Sequence, residues 1–264
     1  MTQNLLIRRD GPVARVHLNR PEQRNAFNGD TILELLETFD TLSNDEETRV
    51  IVLGGEGKSF CAGADLGWMR ALAMSGDNRE GARTMARLFE QIDACRKPVI
   101  ARIHGATIGG GMGILSGCDI VIAVEGAKFS FSEVRLGLAP AVISPFVIRR
   151  IGRRVARQIF VTGERFAAPR AYDLGLVDQV VADEAALDAA VDETIHQILL
   201  GAPEASIACK ELARTVGDLD PEAAFDFTAD LIARLRASPE GQEGMMAFLQ
   251  RRSPSWAPSS EEDG

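Results

Sequence analysis

The chain has 264 residues, of which 45% are hydrophobic and 25% are charged, and its formal net charge is −9. This composition is typical of a soluble globular protein, and the acidic balance argues against a nucleic-acid surface, which needs a basic stripe. The sequence has neither an apolar signal region nor a run of about 18 apolar residues that could span a membrane. We therefore expect a cytoplasmic protein, or a mature matrix form in a larger cell.

Cysteine and histidine residues are scattered along the chain. The four cysteines form no CxxC pair, which predicts reduced, buried thiols and neither a disulfide framework nor a metal site. His17 and His104 fall in apolar strand-like runs and His196 falls in a helical run, so we expect structural roles for all three.

The first 125 residues alternate between strand-like and helical patterns. Residues 5–9 and 13–18 predict a hairpin that turns at residues 10–12, and residues 28–42 have apolar residues at helical spacing. A buried strand is predicted at 50–53, a helix at 80–95, and further strands at 99–103 and 119–124. This rhythm predicts stacked α/β layers.

From residue 140 onward the pattern is almost entirely helical. Several of the predicted helices begin with proline, whose missing N–H has no cost at the first turn. The predicted helices span residues 140–151, 153–161, 169–174, 184–200, 203–215, 221–236 and 239–251. The acidic end, residues 254–264, is expected to fray.

Two glycine-containing segments could bring backbone N–H groups to a ligand. Residues 59–66 (SFCAGADL) follow the strand at 50–53, and Asp65 is placed to cap a following helix. Residues 104–113 (HGATIGGGMG) place three consecutive glycines at a helix start, where free N–H groups and the helix dipole favour negative charge. Neither a P-loop nor a GxGxxG dinucleotide motif is present in this second segment. The alternatives are a strand–turn–helix joint for the first segment and tight helix packing for the second.

Glu133 interrupts a stretch of apolar and small residues, FSFSEVRLGLAP at 129–140. A carboxylate in such surroundings has a raised pKa, which suits a group that must both take and give a proton. The alternative is a solvent-facing glutamate paired with Arg135.

Together these stretches resemble the crotonase (enoyl-CoA hydratase/isomerase) superfamily. The similarity extends over nearly the whole chain, and its most specific parts are FCAGADL, HGATIGGGMG, the Cys118-Asp119 step, and Thr162-Gly163-Glu164 with Gly175-Leu176-Val177. It implies an α/β fold, a spiral of ββα turns over residues 1–195, and a C-terminal helical trimerisation region over residues 196–264. Trimers of this family often pair into hexamers.

The resemblance also implies an acyl-CoA substrate and a set of site residues. The N–H groups of Ala64 and Gly110 would hold the thioester oxygen, and Glu133 would move a proton. The residues matching substrate-binding positions are Arg24, Ala62, Asp65, Leu66, Gly109 and Gly113. Arg24 could also be a plain surface charge. No metal or redox cofactor is implied, because coenzyme A arrives as part of the substrate.

The sequence departs from the family pattern at Gly113, where typical hydratases carry a first glutamate. In addition, bulkier residues (APAVISP, 139–145) replace the usual glycine-rich stretch after the second glutamate and should reshape the acyl pocket.

Hydration of an enoyl-CoA by Glu133 alone remains the favoured function, with water held partly by Ser132, Ser144 or Thr107. The run SEVRLGLAPAVISPF and the ending EGQEGMMAFLQRRSPSW resemble bacterial methylglutaconyl-CoA hydratases. Such a substrate carries a second carboxylate, which Arg70 or Arg135 could bind. The alternatives are double-bond isomerisation, which needs only one carboxylate, and a non-catalytic acyl-CoA-binding protein.

Overall fold

The computed structural model describes residues 4–258, and the chain divides into two compact units. Among the described residues, the first comprises 4–95 and 99–191, and the second comprises 96–98 and 192–258. The last residues of the predicted acidic tail, 259–264, lie outside the described residues. The boundary predicted at residue 195 stays a prediction.

The first unit is built on a six-stranded sheet with the strand order β1-β2-β3-β4-β6-β9. The β1–β2 hairpin is antiparallel, whereas β2, β3, β4, β6 and β9 pair in parallel. The strands are β1 (Leu5–Asp10), β2 (Val13–Leu18), β3 (Val50–Gly55), β4 (Val99–Ile103), β6 (Ile120–Val124) and β9 (Gln179–Val181). Every residue of β3 is buried, as expected for a central parallel strand covered on both faces.

A second sheet has only three short strands, in the order β5-β7-β8. These strands are β5 (Ala106–Ile108), β7 (Lys128–Ser130) and β8 (Arg165–Ala167). The pair β5–β7 is parallel and β7–β8 is antiparallel. Sequence periodicity did not predict these three-residue strands.

Helices cover the sheets, and most lie close to their predicted positions. In this unit they are α1 (Gly29–Asn44), α2 (Leu66–Ser75), α3 (Asn78–Asp93), α4 (Gly110–Gly117), α5 (Ser144–Thr162) and α6 (Ala168–Asp173). The two helices predicted at 140–151 and 153–161 form one element, α5, interrupted at Gly152, where φ is 75°. It begins at Ser144 because residues 141–143 form a turn.

The second unit is helical. The helix α7 (Glu184–Leu200) leads into it, and α8 (Pro203–Thr215), α9 (Pro221–Ala237) and α10 (Pro239–Gln250) follow. Each of the last three begins at a proline, which confirms the prediction from the sequence. Among residues 4–258 we find no helix with the length and apolar composition of a membrane span.

Candidate active site

Three chain segments meet at one edge of the small sheet. Because β5 and β7 are parallel, both strands end at the same edge. The chain leaves β5 through Gly109 and leaves β7 through residues 131–133, and the Gly109 N–H donates to the carbonyl of Ser130 at 3.0 Å. The start of α4 and the side chain of Glu133 are thereby brought next to each other.

The third segment is residues 61–65, which lies on the other side of β5. The backbone of Cys61 pairs with β5, donating to Ala106 O at 3.1 Å and accepting from Ile108 N at 3.0 Å. Three residues later, Phe27 N donates to Gly63 O at 2.9 Å and Asp65 N donates to Phe27 O at 2.8 Å. This parallel bridge uses the peptide groups on either side of Ala64, so the N–H of Ala64 points away from Phe27.

The N–H groups of Ala64 and Gly110 lie close to each other at this junction. Among residues 4–258 we find no hydrogen-bond acceptor for either of them. A Cβ built on Gly110 would lie 3.4 Å from the nitrogen of Ala64, which keeps the two peptide nitrogens within about 6 Å of each other. Gly110 is also the first residue of α4, so the positive end of the helix dipole is at this point.

Glycine is required at positions where backbone segments approach closely. Gly63 has φ +97°, and a Cβ there would lie 2.8 Å from Ile108 O and 3.2 Å from Gly110 N. A Cβ on Gly110 would lie 2.5 Å from the buried ring of Phe27. The missing side chains therefore allow the two N–H groups to come together.

Glu133 lies in a 3₁₀ helix, Ser132–Leu136, beside Gly109. One carboxyl oxygen, Oε1, lies 3.4 Å from where a Cβ of Gly109 would be, and Gly109 has φ +52°. The other oxygen, Oε2, is buried and has no hydrogen-bond partner among the described residues. Burial raises the pKa of Glu133, and a hydrogen bond from its own backbone N–H only partly opposes this shift.

The structure does not have the alternative arrangement, in which a solvent-facing Glu133 pairs with Arg135. Arg135 instead donates through Nε to the carbonyl of Gly163 at 2.9 Å. Arg70, on α2, has an exposed side chain. Among residues 4–258 we find a side-chain contact to the protein backbone for Arg135 but none for Arg70.

Gly113 lies in packed apolar surroundings. A Cβ there would lie 2.4 Å from Ile143 Cγ2 and 2.9 Å from the ring of Phe89, and Gly113 itself is buried. The space that a first glutamate would need is therefore filled by two apolar side chains. The sequence identified the missing carboxylate and predicted that the bulkier stretch 139–145, which includes Ile143, reshapes the pocket, but it gave no signal for Phe89.

The predicted substrate-binding residues of the 61–66 segment lie around the Ala64 N–H. The backbone N–H of Ala62 donates to the carbonyl of Arg24 at 2.9 Å, and the side chain of Arg24 is exposed. Asp65 caps α2, as predicted, by accepting from Trp68 N at 3.1 Å, which directs its side chain towards the helix. Leu66 is 64% exposed at the first position of α2.

The three candidates for holding water are in different environments. Ser144 Oγ donates to Ala141 O at 2.8 Å, and Ser132 is half-buried at the start of the 3₁₀ helix. Thr107 is fully buried, and its hydroxyl has no hydrogen-bond partner among the described residues.

Two of the histidines have structural contacts, and one cysteine prediction is wrong. His17 Nδ1 is 2.7 Å from Glu56 Oε1, and His104 Nε2 is 2.9 Å from Gly57 O. All four cysteines are free, but Cys209 is exposed, so the prediction that all are buried fails for this residue. It lines an apolar surface groove between α8 and α9, beside Leu212 and Ile232, and this groove is open on its outer side.

Comparisons with known proteins show the family to which the chain is similar. A model of the enoyl-CoA hydratase/isomerase family matches residues 8–259. The chain is 32% identical over 252 residues to a crotonyl-CoA hydratase of Syntrophomonas wolfei subsp. wolfei, covering 95% of this chain and 96% of the relative. It is 31% identical over 263 residues to a peroxisomal Delta(3,5)-Delta(2,4)-dienoyl-CoA isomerase of Arabidopsis thaliana, covering 94% of each.

A solved structure extends the similarity to the fold. The crystal structure of an enoyl-CoA hydratase from Shewanella pealeana matches with a TM-score of 0.91 and 38% identity over 96% of both chains. The α/β fold with its C-terminal helical region is therefore that of the crotonases, which confirms the predicted fold class. The chain belongs to the enoyl-CoA hydratase/isomerase family of the crotonase superfamily.

Proposed function

We propose that the protein adds water across the 2,3 double bond of an enoyl-CoA thioester, or removes it in the reverse direction. The observation that carries this proposal is the junction described above. It combines two unpaired N–H groups, of Ala64 and Gly110, with a buried, unpaired carboxyl oxygen of Glu133.

The two N–H groups would hold the thioester oxygen. When hydroxide adds at C3, negative charge moves to this oxygen and an enolate forms. Fixed donors aimed at that charge stabilise the transition state by about 3 kcal/mol each in comparable sites. The N-terminus of α4 adds a favourable dipole at the same point.

Glu133 would move the proton in both steps. Its carboxylate takes a proton from water as the water oxygen bonds to C3, and the resulting carboxylic acid returns that proton to C2 of the enolate. A carboxyl group whose pKa is raised by burial is suited to this double task, because it takes and gives a proton near neutral pH more readily than an exposed glutamate does.

This proposal can be tested by comparing Glu133→Gln with Glu37→Gln, the same substitution at an exposed position on α1. We expect the Glu133 variant to lose about 10²- to 10⁴-fold in kcat for hydration of crotonyl-CoA, because general acid–base catalysis has this magnitude. The affinity for butyryl-CoA, which cannot react, should stay within about threefold because the backbone donors are intact. Full turnover of Glu133→Gln would refute the assigned role.

Double-bond isomerisation is the second candidate, and one observation favours it. The packing of Ile143 and Phe89 around Gly113 leaves Glu133 without the partner glutamate that typical hydratases use for water. Shifting a 3-enoyl to a 2-enoyl thioester moves one proton from C2 to C4 and needs no water. Assaying crotonyl-CoA and a 3-hexenoyl-CoA with the same enzyme separates the two functions, since an isomerase would convert only the second.

For the acyl group we propose a branched substrate with a second carboxylate, of the 3-methylglutaconyl-CoA type. Arg70 is the better of the two candidate arginines, because Arg135 already donates to Gly163 O. The Arg70→Gln variant should raise KM for 3-methylglutaconyl-CoA by about tenfold, equivalent to one surface-accessible charged contact, and leave KM for crotonyl-CoA unchanged. Equal effects on both substrates would contradict this assignment.

The coenzyme A moiety would lie along Arg24, Ala62 and Leu66, where an exposed guanidinium is available for a phosphate group. The proposed reaction uses only groups of the chain and the substrate, with no separate cofactor. Charge reversal, Arg24→Glu, should raise KM for every acyl-CoA to a similar extent and leave kcat nearly unchanged.

We also propose that the second unit assembles the protein into a trimer or hexamer. Its helices α9 and α10 expose several large apolar side chains, which single-chain proteins rarely expose together. These are Phe225, Ile232, Met245, Met246, Phe248 and Leu249, with exposures between 45% and 84%. Light scattering of the intact protein tests this proposal, and a monomer at micromolar concentration would contradict it.

A further inference from the structure

The sharp turn before Phe27 has an unusual backbone. Arg24 and Asn25 have φ +52° and +56°, two consecutive non-glycine residues in the left-handed region. Only a few per cent of non-glycine residues adopt it, and asparagine does so more readily than most. Asn25 is only 1% exposed, so its polar side chain must find its partners inside the protein.

All polar groups of Asn25 are hydrogen-bonded. Its Nδ2 donates to Glu56 O at 2.8 Å and to Ser59 O at 2.7 Å, and its Oδ1 accepts from Arg20 N at 2.9 Å. Its backbone N–H donates to Arg20 O at 2.9 Å, and its carbonyl accepts from Cys61 Sγ at 3.2 Å. One side chain thus fastens the turn to the loop between β3 and residue 61.

The space around this side chain is shaped for it. A Cβ on Gly55 would lie 2.7 Å from Asn25 Nδ2 and 2.5 Å from Phe60 O, so only glycine leaves room for the amide at this point. Ser59 is itself buried. The amide therefore has a fixed position between the turn and the loop.

The same turn holds the segment that carries the Ala64 N–H. The carbonyl of Arg24 accepts from Ala62 N at 2.9 Å, and two residues after Asn25 the backbone of Phe27 bonds to Gly63 O and Asp65 N. The orientation of the Ala64 peptide is thus set by contacts on both of its sides. Every one of these contacts comes from residues 24–27.

We propose that Asn25 is a positioning residue for the Ala64 N–H, an inference that rests on the proposed function of that group. Asn25 does not touch the substrate in this scheme. By joining the turn to the carbonyls of Glu56 and Ser59, its side chain fixes residues 24–27, which in turn fix the direction of the donor. Loss of the amide should loosen the donor and leave Glu133 in place. The proposed coenzyme A contacts at Arg24 and Ala62 belong to the same segment, so they should weaken as well, but by a smaller factor than the stabilisation of the enolate.

The test uses Asn25→Gly, which keeps the left-handed backbone available and removes only the side-chain bonds. The matched control is Thr48→Val, because Thr48 is also 1% exposed and its hydroxyl, which donates to Asp45 Oδ2 at 2.6 Å, fastens a different loop. We expect both variants to lose stability. Only Asn25→Gly should lower kcat by about 10- to 100-fold with KM within about threefold, because a displaced oxyanion donor acts on the transition state.

A binding measurement separates positioning from a general loss of structure. Acetoacetyl-CoA forms an enolate that absorbs in the near ultraviolet, and an oxyanion donor raises the bound enolate fraction. In Asn25→Gly the enolate-to-keto ratio of bound acetoacetyl-CoA should fall by about tenfold, while the affinity for butyryl-CoA should stay within about threefold of the wild type. In Thr48→Val neither quantity should change.

Two results would overturn the proposal. One is an enolate ratio in Asn25→Gly equal to that of the wild type, and the other is an equal loss of butyryl-CoA affinity, which would indicate a collapsed site. Should Asn25→Gly not fold, Asn25→Ser, which keeps one donor, is expected to show a smaller change in the same direction. Full activity of Glu133→Gln would refute the proposed proton transfer, but the enolate ratio would still report on the donor.

Discussion

Gly63→Ala is the substitution that tests the geometry of the two N–H groups most directly. The φ of Gly63 is +97°, a conformation that residues with a side chain rarely adopt. The new methyl group would lie 2.8 Å from Ile108 O and 3.2 Å from Gly110 N. It therefore presses on the nitrogen of one of the two proposed oxyanion donors.

The expected loss of stability in Gly63→Ala has two contributions. A side chain in this backbone region costs about 1–3 kcal/mol. The close contact with a carbonyl oxygen and a peptide nitrogen in a packed interior costs about 1–3 kcal/mol more. A displaced donor should also lower kcat by about 10- to 100-fold, somewhat less than the complete removal of one donor in comparable sites.

Gly76→Ala separates these contributions. Gly76 ends α2 with φ +86°, and a Cβ there would have no neighbour within 4 Å. This control shares the backbone strain but has no contact with Gly110. Thermal unfolding followed by circular dichroism and steady-state hydration of crotonyl-CoA should be measured for both variants. A folded Gly63→Ala protein whose kcat equals that of Gly76→Ala would refute the idea that Gly63 sets the position of the Gly110 N–H.

Three further predictions follow from Glu133 and Gly113. Because burial raises the pKa of Glu133, kcat/KM for hydration should fall with decreasing pH at a value above 4.5, the pKa of an ordinary glutamate, and a pH profile checks this. The raised pKa also means that the folded protein holds this proton more tightly than the unfolded chain, so stability falls as pH rises through the folded pKa. Glu133→Gln should therefore raise Tm at alkaline pH and raise it less at acidic pH, in melts across pH. Gly113→Ala should destabilise the protein by about 1–3 kcal/mol through contact with Ile143, and Ile143→Ala in the same chain should recover part of the loss in denaturant unfolding.

The parts of the fold that could be predicted are those with strong local signals. The fully apolar β3 and the proline-initiated α8, α9 and α10 were placed correctly within a few residues. The strands β5, β7 and β8 have three residues each, too few for an alternating pattern to be distinguished from a loop. These short strands are the ones that build the site.

The parts of the candidate site that could be predicted are those in which the residue type alone indicates the chemistry. The glycine segments and Glu133 were visible because glycine and an isolated carboxylate are informative in apolar surroundings. The contacts of Gly113 with Ile143 and Phe89 were not predictable, since no local rule pairs residues so far apart in sequence. The hydrogen bonds of Asn25 were missed for the same reason, because its partners are the backbone carbonyls of a distant loop.

The two unpaired donors at the junction are main-chain atoms, and this limits the effect that amino-acid substitutions can have on them. Exchanging any side chain other than for proline leaves a peptide N–H in place, so ordinary mutations can only move such a donor. Most substitutions would therefore leave the proposed binding of the thioester oxygen intact, while the residues that would line the acyl chain are free to change. A shared reaction core with many different acyl groups is the pattern of divergence that such an arrangement favours.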